Sequence, residues 1–287
     1  MIKEVCPVAR MQKLLVATDG SIFSESAIRE AINLARTCSS KLIAVSVVKT
    51  SPEFEDLVPQ VFEKAEKEVR EHLESVRSRA SREGIDCKIV VHRGEKPFHD
   101  IVNVAEKNQV DMIIIGTHGR TGLKRLMMGS VTAKVIGHAP CNVLVVPLHT
   151  KVECRKILAA TDGSRYSDQA ASEAIGIAKR CGGSLIVLSV ALSDKEIILP
   201  EDDEEMMLAK DNVKKIVELA EKEGIKPEGL TAIGKPYEAI VQTAKQKHAD
   251  LIVVGSHGIT GLDRLLMGSV TERVIGHSES AVLVVRT

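Results

Sequence analysis

The strongest constraint on this chain is an internal repeat. The segment KLLVATDGSIFSESAIREAINLAR at 13–36 returns as KILAATDGSRYSDQAASEAIGIAK at 156–179. The segment IIGTHGRTGLKRLMMGSVTA at 114–133 returns as VVGSHGITGLDRLLMGSVTE at 253–272. Each copy has room for a core within about half the chain, which is an ordinary domain size. We therefore predict two similar domains in tandem, at 12–147 and 154–287, joined by a short polar linker.

Each repeat alternates apolar runs of strand length with amphipathic stretches of helix length. The runs are almost entirely aliphatic and lack polar alternation, which is typical of strands buried on both faces of a parallel sheet. The sequence thus predicts an α/β fold with two tandem open five-stranded parallel-sheet domains and helices on both faces. In the first half the predicted strands are 13–18, 41–48, 87–92, 111–116 and 142–146, and the predicted helices lie near 24–37, 61–83, 97–108 and 130–138.

A glycine-rich loop follows the fourth predicted strand of each half. In an open parallel sheet, ligands bind beyond the carboxyl ends of the strands, where the strand order reverses. The loop therefore falls where a ligand is expected. Its spacing, G-x2-G-x9-G-S, differs from the loops of P-loop and dinucleotide-binding proteins. The glycines are Gly116, Gly119 and Gly129 in the first half and Gly255, Gly258 and Gly268 in the second.

The loop has the components of a phosphate site. Glycines let backbone N–H groups approach an anion, and we predict that Ser130 and Ser269 are the N-caps of helices whose first N–H groups lack partners. The helix dipole favours negative charge there. The alternative is that the glycines only permit tight turns and the serines only cap helices. Two copies with the same spacing favour the site.

Asp19 ends the first predicted strand and has two possible roles. Its carboxylate would repel phosphate, but it can accept hydrogen bonds from ribose hydroxyls or an adenine amine, or assist a Mg²⁺ ion. It could instead cap the following helix or shape the turn with Gly20. Its place at the switch point favours ligand contact.

Composition argues against several classes of partner. Lys and Arg together number 39, as do Asp and Glu, and aromatic residues are 2% of the chain, so neither a basic field nor a stacking platform for nucleic acid is expected. No apolar run approaches the ~18 residues that span a bilayer. The six cysteines lack framework or metal-site spacing, which favours reduced thiols, a cytoplasmic location and no metal ligands.

Four histidines lie near the loops or end helices. His118 and His257 lie inside the glycine loops, and a hydrolase triad with nearby Ser and Asp is the alternative to a phosphate-adjacent positioning role. The absence of a G-x-S-x-G elbow favours positioning. His138 and His277 end the last helix of each half, where an imidazole can interact with helix-end carbonyls.

Taken together, G-x2-G-x9-G-[ST], a first strand ending in Asp and a strand such as AVSVV resemble the universal stress protein family over nearly the whole chain. The resemblance implies an adenine nucleotide alpha hydrolase-like fold that binds ATP or AMP, with a regulatory rather than catalytic role in stress response or signalling. No motif position is broken in either half. The implied ligand contacts are Asp19, Val47, Gly116, His118, Gly119, Gly129, Ser130 and Val131, with Asp162, Val190, Gly255, His257, Gly258, Gly268, Ser269 and Val270 as their counterparts.

The family also implies an arrangement of partners. Single-domain members dimerise through the last strand, so the two domains are expected to form an internal pseudo-dimer that could associate into a further homodimer. The protein partner and the resident nucleotide are not specified by the sequence. A slow ATPase or nucleotide-dependent enzyme, or a dimerisation scaffold without ligand, are the alternative functions.

The two loops differ in charge. The first contains Arg120, Lys124 and Arg125, whereas the second contains Ile259, Asp263 and Arg264, so the formal charges of these residues sum to +3 and 0. Each nearby cation favours a triphosphate over a monophosphate by a modest amount, about 0.2 to 1 kcal/mol when exposed. We predict that the first site retains ATP better.

Overall fold

A computed structural model describes residues 6–8, 11–51, 53, 57–119, 128–193, 200, 203–258 and 267–286. The chain divides into two compact units. The first unit is Arg10–His149, and the second is Thr150–Thr287 together with Met1–Ala9.

The first unit alternates strands and helices in the predicted order. Helices α1 and α2 begin two residues earlier than predicted, since Ser21 is the N-cap of α1 and Pro59 opens α2 at a position where a missing N–H costs nothing. Its elements are β1 (Lys13–Ala17), α1 (Ile22–Cys38), β2 (Lys41–Lys49), α2 (Pro59–Arg82), β3 (Cys87–Gly94), α3 (Pro97–Asn108), β4 (Met112–Gly116), α4 (Ser130–His138) and β5 (Asn142–Val146).

The second unit repeats this order. Its first helix, α5, has Ser164 as N-cap, and the Ser164 side chain accepts a hydrogen bond from the Ser167 N–H. The elements are β6 (Lys156–Ala160), α5 (Arg165–Cys181), β7 (Ser184–Leu192), α6 (Glu204–Lys222), β8 (Glu228–Gly234), α7 (Pro236–Lys247), β9 (Leu251–Gly255), α8 (Ser269–His277) and β10 (Ala281–Val285).

The strands of each unit form a parallel sheet. The order is β3-β2-β1-β4-β5 in the first unit and β8-β7-β6-β9-β10 in the second. The chain builds outwards from β1 to β3 and then returns to the other side of β1 for β4. The strand order therefore reverses between β1 and β4, and between β6 and β9, which is where ligands bind in folds of this kind. The predicted fold class is confirmed.

Burial explains why the strand sequences lack polar alternation. All five residues of β4 and of β9 are buried, and neighbouring residues of a strand point to opposite faces, so both faces of the sheet are covered. Helix α1 covers part of this surface with Ala27, Ile28 and Ala31, whose spacing places them on one helical stripe. The described helices include none that is long and apolar enough to cross a membrane.

The cysteines differ from expectation at two positions. Cys6 and Cys38 are disulfide-bonded, so the prediction of reduced thiols throughout is wrong there. The spacing of distant cysteines in the sequence does not predict a disulfide, because the bond requires that the fold bring their Cα atoms close together. Cys87, Cys141, Cys154 and Cys181 are reduced. Burial raises the pKa of the Cys87 thiol to about 11.

Candidate functional site

The carboxyl ends of β1 and β4 form the candidate site of the first unit. These strands pair directly, with Ala17 opposite Ile115, so the residues that follow them emerge at the same edge of the sheet. Asp19 follows β1 and Gly119 follows β4. In the second unit Asp162 and Gly258 follow β6 and β9 in the same way.

The aspartate and the second loop glycine meet across this edge. A Cβ atom built on Gly119 would lie 2.8 Å from Asp19 Oδ2, and one built on Gly258 would lie 2.6 Å from Asp162 Oδ2. Both distances are too short for a real side chain, so only glycine leaves the carboxylate in this position. The two units therefore hold a carboxylate against exposed backbone in the same way.

The same carboxylate also shapes the turn after the strand. Asp19 Oδ1 accepts hydrogen bonds from the Ser21 N–H at 3.0 Å and the Ser21 hydroxyl at 2.7 Å. Asp162 Oδ1 accepts from the Ser164 N–H at 3.0 Å. The turn-shaping role of Asp19 is thus present in the structure. It uses one carboxylate oxygen, while the other faces the glycine.

The glycine loop closes on itself at the base of the site. The Gly129 N–H donates to the Thr117 carbonyl at 2.9 Å, and Thr132 Oγ1 donates to the Gly116 carbonyl at 2.9 Å. Gly268 donates to Ser256, and Thr271 to Gly255, at the same distances. These bonds fix the start of the following helix beside the end of the strand.

The tip of each loop, at 120–127 and 259–266, lies outside the described residues. The charge comparison rests on this part of the chain and stays a prediction. It concerns Arg120, Lys124 and Arg125 in the first loop and Ile259, Asp263 and Arg264 in the second.

The first loop glycine serves packing. A Cβ on Gly116 would lie 2.7 Å from the Phe23 carbonyl oxygen, and one on Gly255 would lie 2.8 Å from the backbone C and O of Tyr166. Both glycines are buried at the ends of their strands. Their lack of a side chain lets the first helix of the unit pack closely on the sheet.

Each loop ends at the start of a helix. The N-cap of α4 is Gly129 and that of α8 is Gly268, so the prediction of Ser130 and Ser269 as N-caps is wrong by one residue. Glycine suits the N-cap because a Cβ there would crowd the preceding loop backbone, at 3.2 Å from the Thr117 carbonyl oxygen in the first unit. Both serines are exposed in the first helical turn.

The N-cap glycines have no side chain that could accept a hydrogen bond from the first amides of these helices. Val131 and Val270 follow the serines, and Val270 is 36% exposed. The first N–H groups of a helix have no partner within it and carry the positive end of the helix dipole. The start of each helix therefore presents backbone donors that favour an anion.

An apolar residue lies further along the same edge. Val47 and Val190 are the partly exposed residues within the otherwise buried stretches of β2 and β7, at the same place in identical burial patterns. Ala17 pairs with Val45, so Val47 extends two residues beyond the last pair of β1 with β2, towards Asp19. Valine here offers an apolar surface next to the carboxylate.

The loop histidines lie against aromatic rings. The rings of His118 and Phe23 are 6.1 Å apart, and those of His257 and Tyr166 are 5.2 Å apart. His257 Nδ1 also pairs with Ser256 Oγ at 3.1 Å. These contacts place both imidazoles at the base of the loop.

The helix-ending histidines make the expected backbone contacts. His138 Nδ1 lies 2.7 Å from the Lys134 carbonyl, and His277 Nδ1 lies 2.8 Å from the Arg273 carbonyl. Each imidazole also packs near an aromatic ring of the preceding helix, with centroid distances of 5.1 and 5.3 Å. Their role is structural. The described residues contain no group of three or more His, Cys, Asp or Glu side chains that could hold a metal ion.

Comparison with known proteins agrees with this geometry. The sequence profile of the Universal stress protein family matches the chain twice, over residues 11–147 and 153–286. The chain belongs to the universal stress protein family. The tandem organisation of two family domains is thereby confirmed.

Individual relatives match one half or the whole fold. Universal stress protein MJ0531 of Methanocaldococcus jannaschii is 37% identical over 140 residues, covering 47% of this chain and 81% of that protein. Universal stress protein YxiE of Bacillus subtilis is 33% identical over 145 residues, covering 47% of this chain and 97% of that protein. A universal stress protein from Archaeoglobus fulgidus has the same fold over 98% of both chains, with a TM-score of 0.77 at 20% identity.

Sequence reasoning missed two groups beside the site of this universal stress protein. His72 Nε2 in α2 lies 3.0 Å from Thr18 Oγ1, directly before Asp19. At the equivalent place in α6, Asn212 Oδ1 lies against Gly163, where a Cβ would collide with it. The sequence gives little evidence for these two residues, because the two copies of the repeat differ at this position and neither residue belongs to a motif.

Proposed function

We propose that each unit binds one adenine nucleotide, ATP or AMP, and that the protein acts as a regulatory binding module in a stress response. The observation that supports this proposal best is the repeated juxtaposition of a carboxylate, a bare glycine backbone and an uncapped helix start at one sheet edge. These groups match the sugar and phosphate parts of a nucleotide.

The phosphate end belongs at the helix start. The N–H groups of Ser130 and Val131, and the exposed Ser130 hydroxyl, are donors that point out of the helix and favour an anion. Ser269 and Val270 supply the same donors in the second unit. Gly119, Gly129 and their counterparts Gly258 and Gly268 would admit the phosphates close to the backbone.

The charge of the carboxylate indicates where the sugar and the base would bind. A carboxylate repels phosphate, so Asp19 and Asp162 suit the hydroxyls of the ribose. Val47 and Val190 lie beyond the carboxylate and offer apolar contact for the base. This order sets the nucleotide with its phosphates at the helix and its base at the second strand.

Buried polar atoms of the first unit support a ligand there. In the part of the chain that the structure describes, Thr117 Oγ1 and His118 Nε2 are buried and have no hydrogen-bond partner. An unpaired buried polar atom costs about 1 to 3 kcal/mol. A bound nucleotide with its attendant water would supply partners, so these residues fit the proposed ligand.

Magnesium would enter with the nucleotide. Mg²⁺ prefers oxygen ligands and usually takes several from phosphates and water, with one or two from carboxylates. Asp19 and Asp162 each supply one carboxylate, next to Gly119 and Gly258 respectively. We therefore propose Mg²⁺ only as a companion of the triphosphate.

Released nucleotide identifies the ligand. The purified chain is denatured and the released small molecules are identified by mass spectrometry, and the emptied protein is titrated with ATP, AMP, cyclic AMP and GTP by calorimetry. We expect an adenine nucleotide and a stoichiometry near two per chain. Gly119→Val and Gly258→Val should each remove one site. Two sites that stay empty at millimolar nucleotide would refute the proposal.

Turnover separates binding from the enzymatic alternative. Incubation of the protein with ATP and Mg²⁺, followed by chromatography, is expected to return ATP without protein-dependent ADP or AMP. Product that disappears in the Gly119→Val, Gly258→Val double variant would favour a slow ATPase. A melting temperature unchanged by every nucleotide would favour the ligand-free scaffold.

A further inference from the structure

Two reduced cysteines meet in the second unit, away from the nucleotide edge. Cys181 is the last residue of α5, and Cys154 lies just before β6. The segment after Cys181 passes alongside Cys154. A Cβ on Gly183 would collide with the Cys154 carbonyl oxygen, and the Ser184 N–H donates to the Arg155 carbonyl at 2.9 Å. The Cys154 thiol is hydrogen-bonded to Cys181.

The backbone around Cys154 is fixed in place. Asp250 Oδ2 accepts hydrogen bonds from the Arg155 and Lys156 N–H groups at 2.9 and 3.0 Å. Cys154 itself has a φ of 52°, a left-handed conformation that is uncommon for a residue with a side chain. The thiol is therefore held next to Cys181 by the surrounding backbone.

The two thiols differ in access. Cys154 is buried, with 4% of its surface exposed, whereas Cys181 is half-buried. A small solute therefore reaches Cys181 first. Cys154 is shielded from solvent, and its side chain contacts that of Cys181.

The surroundings of Cys181 favour its thiolate. The hydrogen bond from Cys154 lowers the pKa of the Cys181 thiol, burial opposes this, the Arg180 guanidinium lowers it further, and the Asp250 carboxylate raises it. The direction of the pKa shift is downward overall. Thiolates, not thiols, react with peroxides and alkylating agents.

The first unit offers an internal comparison. Cys38 ends α1 as Cys181 ends α5, at the matching position of the repeat. Cys38 is disulfide-bonded, whereas Cys181 is reduced and paired with another thiol. This position of the fold therefore accommodates a disulfide sulfur.

We propose that Cys181 is a peroxide-sensitive modification site and that Cys154 is its resolving thiol. The Cys181 thiolate attacks one oxygen of hydrogen peroxide and the O–O bond breaks, which gives a sulfenic acid and hydroxide that is protonated to water. The Cys154 sulfur then attacks the Cys181 sulfur. The S–O bond breaks, the S–S bond forms, and a second water leaves with the Cys154 proton. Two thiols are oxidised as one peroxide is reduced.

Peptide mapping of the whole protein tests the proposal. The protein is treated with one equivalent of hydrogen peroxide, blocked with iodoacetamide, digested with trypsin and analysed by mass spectrometry. We expect peptide 152–155 (VECR) to be linked to peptide 181–195 (CGGSLIVLSVALSDK) by a disulfide. Full alkylation of both cysteines after peroxide would overturn the proposal, as would oxidised Cys181 beside an unmodified Cys154.

The rate of alkylation provides a second measurement. Cys87 is the matched control because it is buried and its thiol has a pKa of about 11. Cys181, whose pKa is lowered, carries more thiolate near neutral pH than Cys87, and it is also the more exposed of the two. We expect iodoacetamide to modify Cys181 at least about tenfold faster than Cys87. Equal rates would count against the proposal.

Two variants separate the roles of the thiols. In Cys154→Ser, the sulfenic acid of Cys181 should persist and be trapped by dimedone, with the linked peptide lost. In Cys87→Ser, the yield of linked peptide should match that of the natural sequence. Dimedone adducts on Cys181 that are equally abundant with and without Cys154 would show that Cys154 does not resolve them. None of these measurements depends on nucleotide binding.

Discussion

The two candidate sites of the molecule share their buried contacts and differ at the rim, by which we mean the exposed residues in the first turns of α1 and α4 and of α5 and α8. Both place a carboxylate within 3 Å of where a glycine Cβ would lie, with Asp19 against Gly119 and Asp162 against Gly258. Both bond a threonine hydroxyl to a strand-end carbonyl at 2.9 Å. Contacts at these distances leave no room for another side chain. The duplicated halves therefore keep the same residues where packing is tightest.

The rims of the two sites differ in charge and polarity. Ile22 is 65% exposed at the start of α1, whereas the first residue of α5 is Arg165, whose guanidinium lies over the Tyr166 ring and donates to its hydroxyl at 2.8 Å. The first turn of α4 has no acidic residue, whereas that of α8 contains Glu272. These differences fall on exposed positions, so the two sites can differ in ligand preference without a change in fold.

The largest expected effect is the loss of the shared carboxylate. Under the proposed function, Asp19→Ala and Asp162→Ala each remove hydrogen bonds to the ribose from one site. Hydrogen bonds to a charged group contribute about 1.5 to 3 kcal/mol, which is about a 10- to 150-fold loss of affinity. Calorimetry of each variant should show one weakened site and one unchanged site. Unchanged affinity at both would remove Asp19 and Asp162 from the ligand contacts.

The next effect separates the two glycines of each loop. Gly116→Ala forces a Cβ against the Phe23 backbone oxygen and should destabilise the first unit by about 1 to 3 kcal/mol, the usual cost of overpacking. Gly119→Ala meets only the end of the Asp19 side chain, which can shift without moving the backbone. It should cost less stability than Gly116→Ala and weaken nucleotide binding. Urea denaturation and ligand titration measure the two quantities. A reversal of the two phenotypes would contradict the assignment.

The same pair exists in the second unit as Gly255 and Gly258. A Cβ on Gly255 would meet the Tyr166 backbone, and one on Gly258 would meet Asp162 Oδ2. We expect Gly255→Ala to cost more stability than Gly258→Ala, and Gly258→Ala to weaken binding. Agreement between the units would show that the division of roles belongs to the fold.

A smaller effect concerns the charge difference at the rim. Glu272 adds a negative charge to the positive end of α8, where the phosphates are proposed to bind. Its removal in Glu272→Ala should strengthen ATP binding at the second site by about two- to fivefold, corresponding to ~0.3 to 1 kcal/mol of helix-dipole interaction. AMP, with fewer charges, should gain less. Ala133→Glu is the matched reverse variant and should weaken ATP binding at the first site.

The sequence predicted the elements of the fold because each strand is an aliphatic run between turn residues and the repeat appears twice. It also brought Asp19, Val47 and Gly119 to one edge, since parallel strands end together. It could not predict that the Gly119 position lies against Asp19 Oδ2, or that Gly116 serves packing on Phe23, because these are distances between elements. The sequence also predicts Ser130 as the N-cap of α4, whereas the structure has Gly129 there. The difference arises because the position of a cap depends on the local φ and ψ angles.

The cysteines show the same limit. Four thiols were correctly expected to be reduced, but the disulfide-bonded state of Cys6 and Cys38 depends on the fold rather than on spacing. The contact between Cys154 and Cys181 likewise links positions at the two ends of a strand–helix unit. Only the three-dimensional structure reveals such pairs.

The smallest predicted effect tests a place where one unit uses an ion pair and the other an apolar contact. Glu66 in α2 bonds to Arg93 in β3 at 2.7 Å and to Arg70 at 2.9 Å. The equivalent residues of the second unit are Met206 and Ile233, which pack in an apolar cluster. An ion pair thus holds α2 to β3 in the first unit, whereas apolar packing holds α6 to β8 at the equivalent place in the second.

This difference gives the first unit a pH dependence that the second lacks at the equivalent place. Hydrogen bonds from Arg70 and Arg93 lower the pKa of Glu66 below its usual value of 4.5. A lowered folded-state pKa stabilises the fold above the unfolded pKa, and this stability is lost as the pH falls through the folded value. The pair is partly exposed, with 27% of the Glu66 side chain and 36% of the Arg93 side chain accessible, so the contribution is ~0.2 to 1 kcal/mol.

Glu66→Gln should therefore be less stable than the natural sequence by that amount near neutral pH, and the difference should shrink as the pH is lowered from about 5 to about 3, through the lowered folded-state pKa of Glu66. Thermal melting of both proteins across this range measures it. Met206→Leu is the matched variant in the second unit, and its stability difference should not vary with pH because no titrating group is involved. A Glu66→Gln difference that is constant with pH would mean that shape, rather than charge, holds α2 to β3.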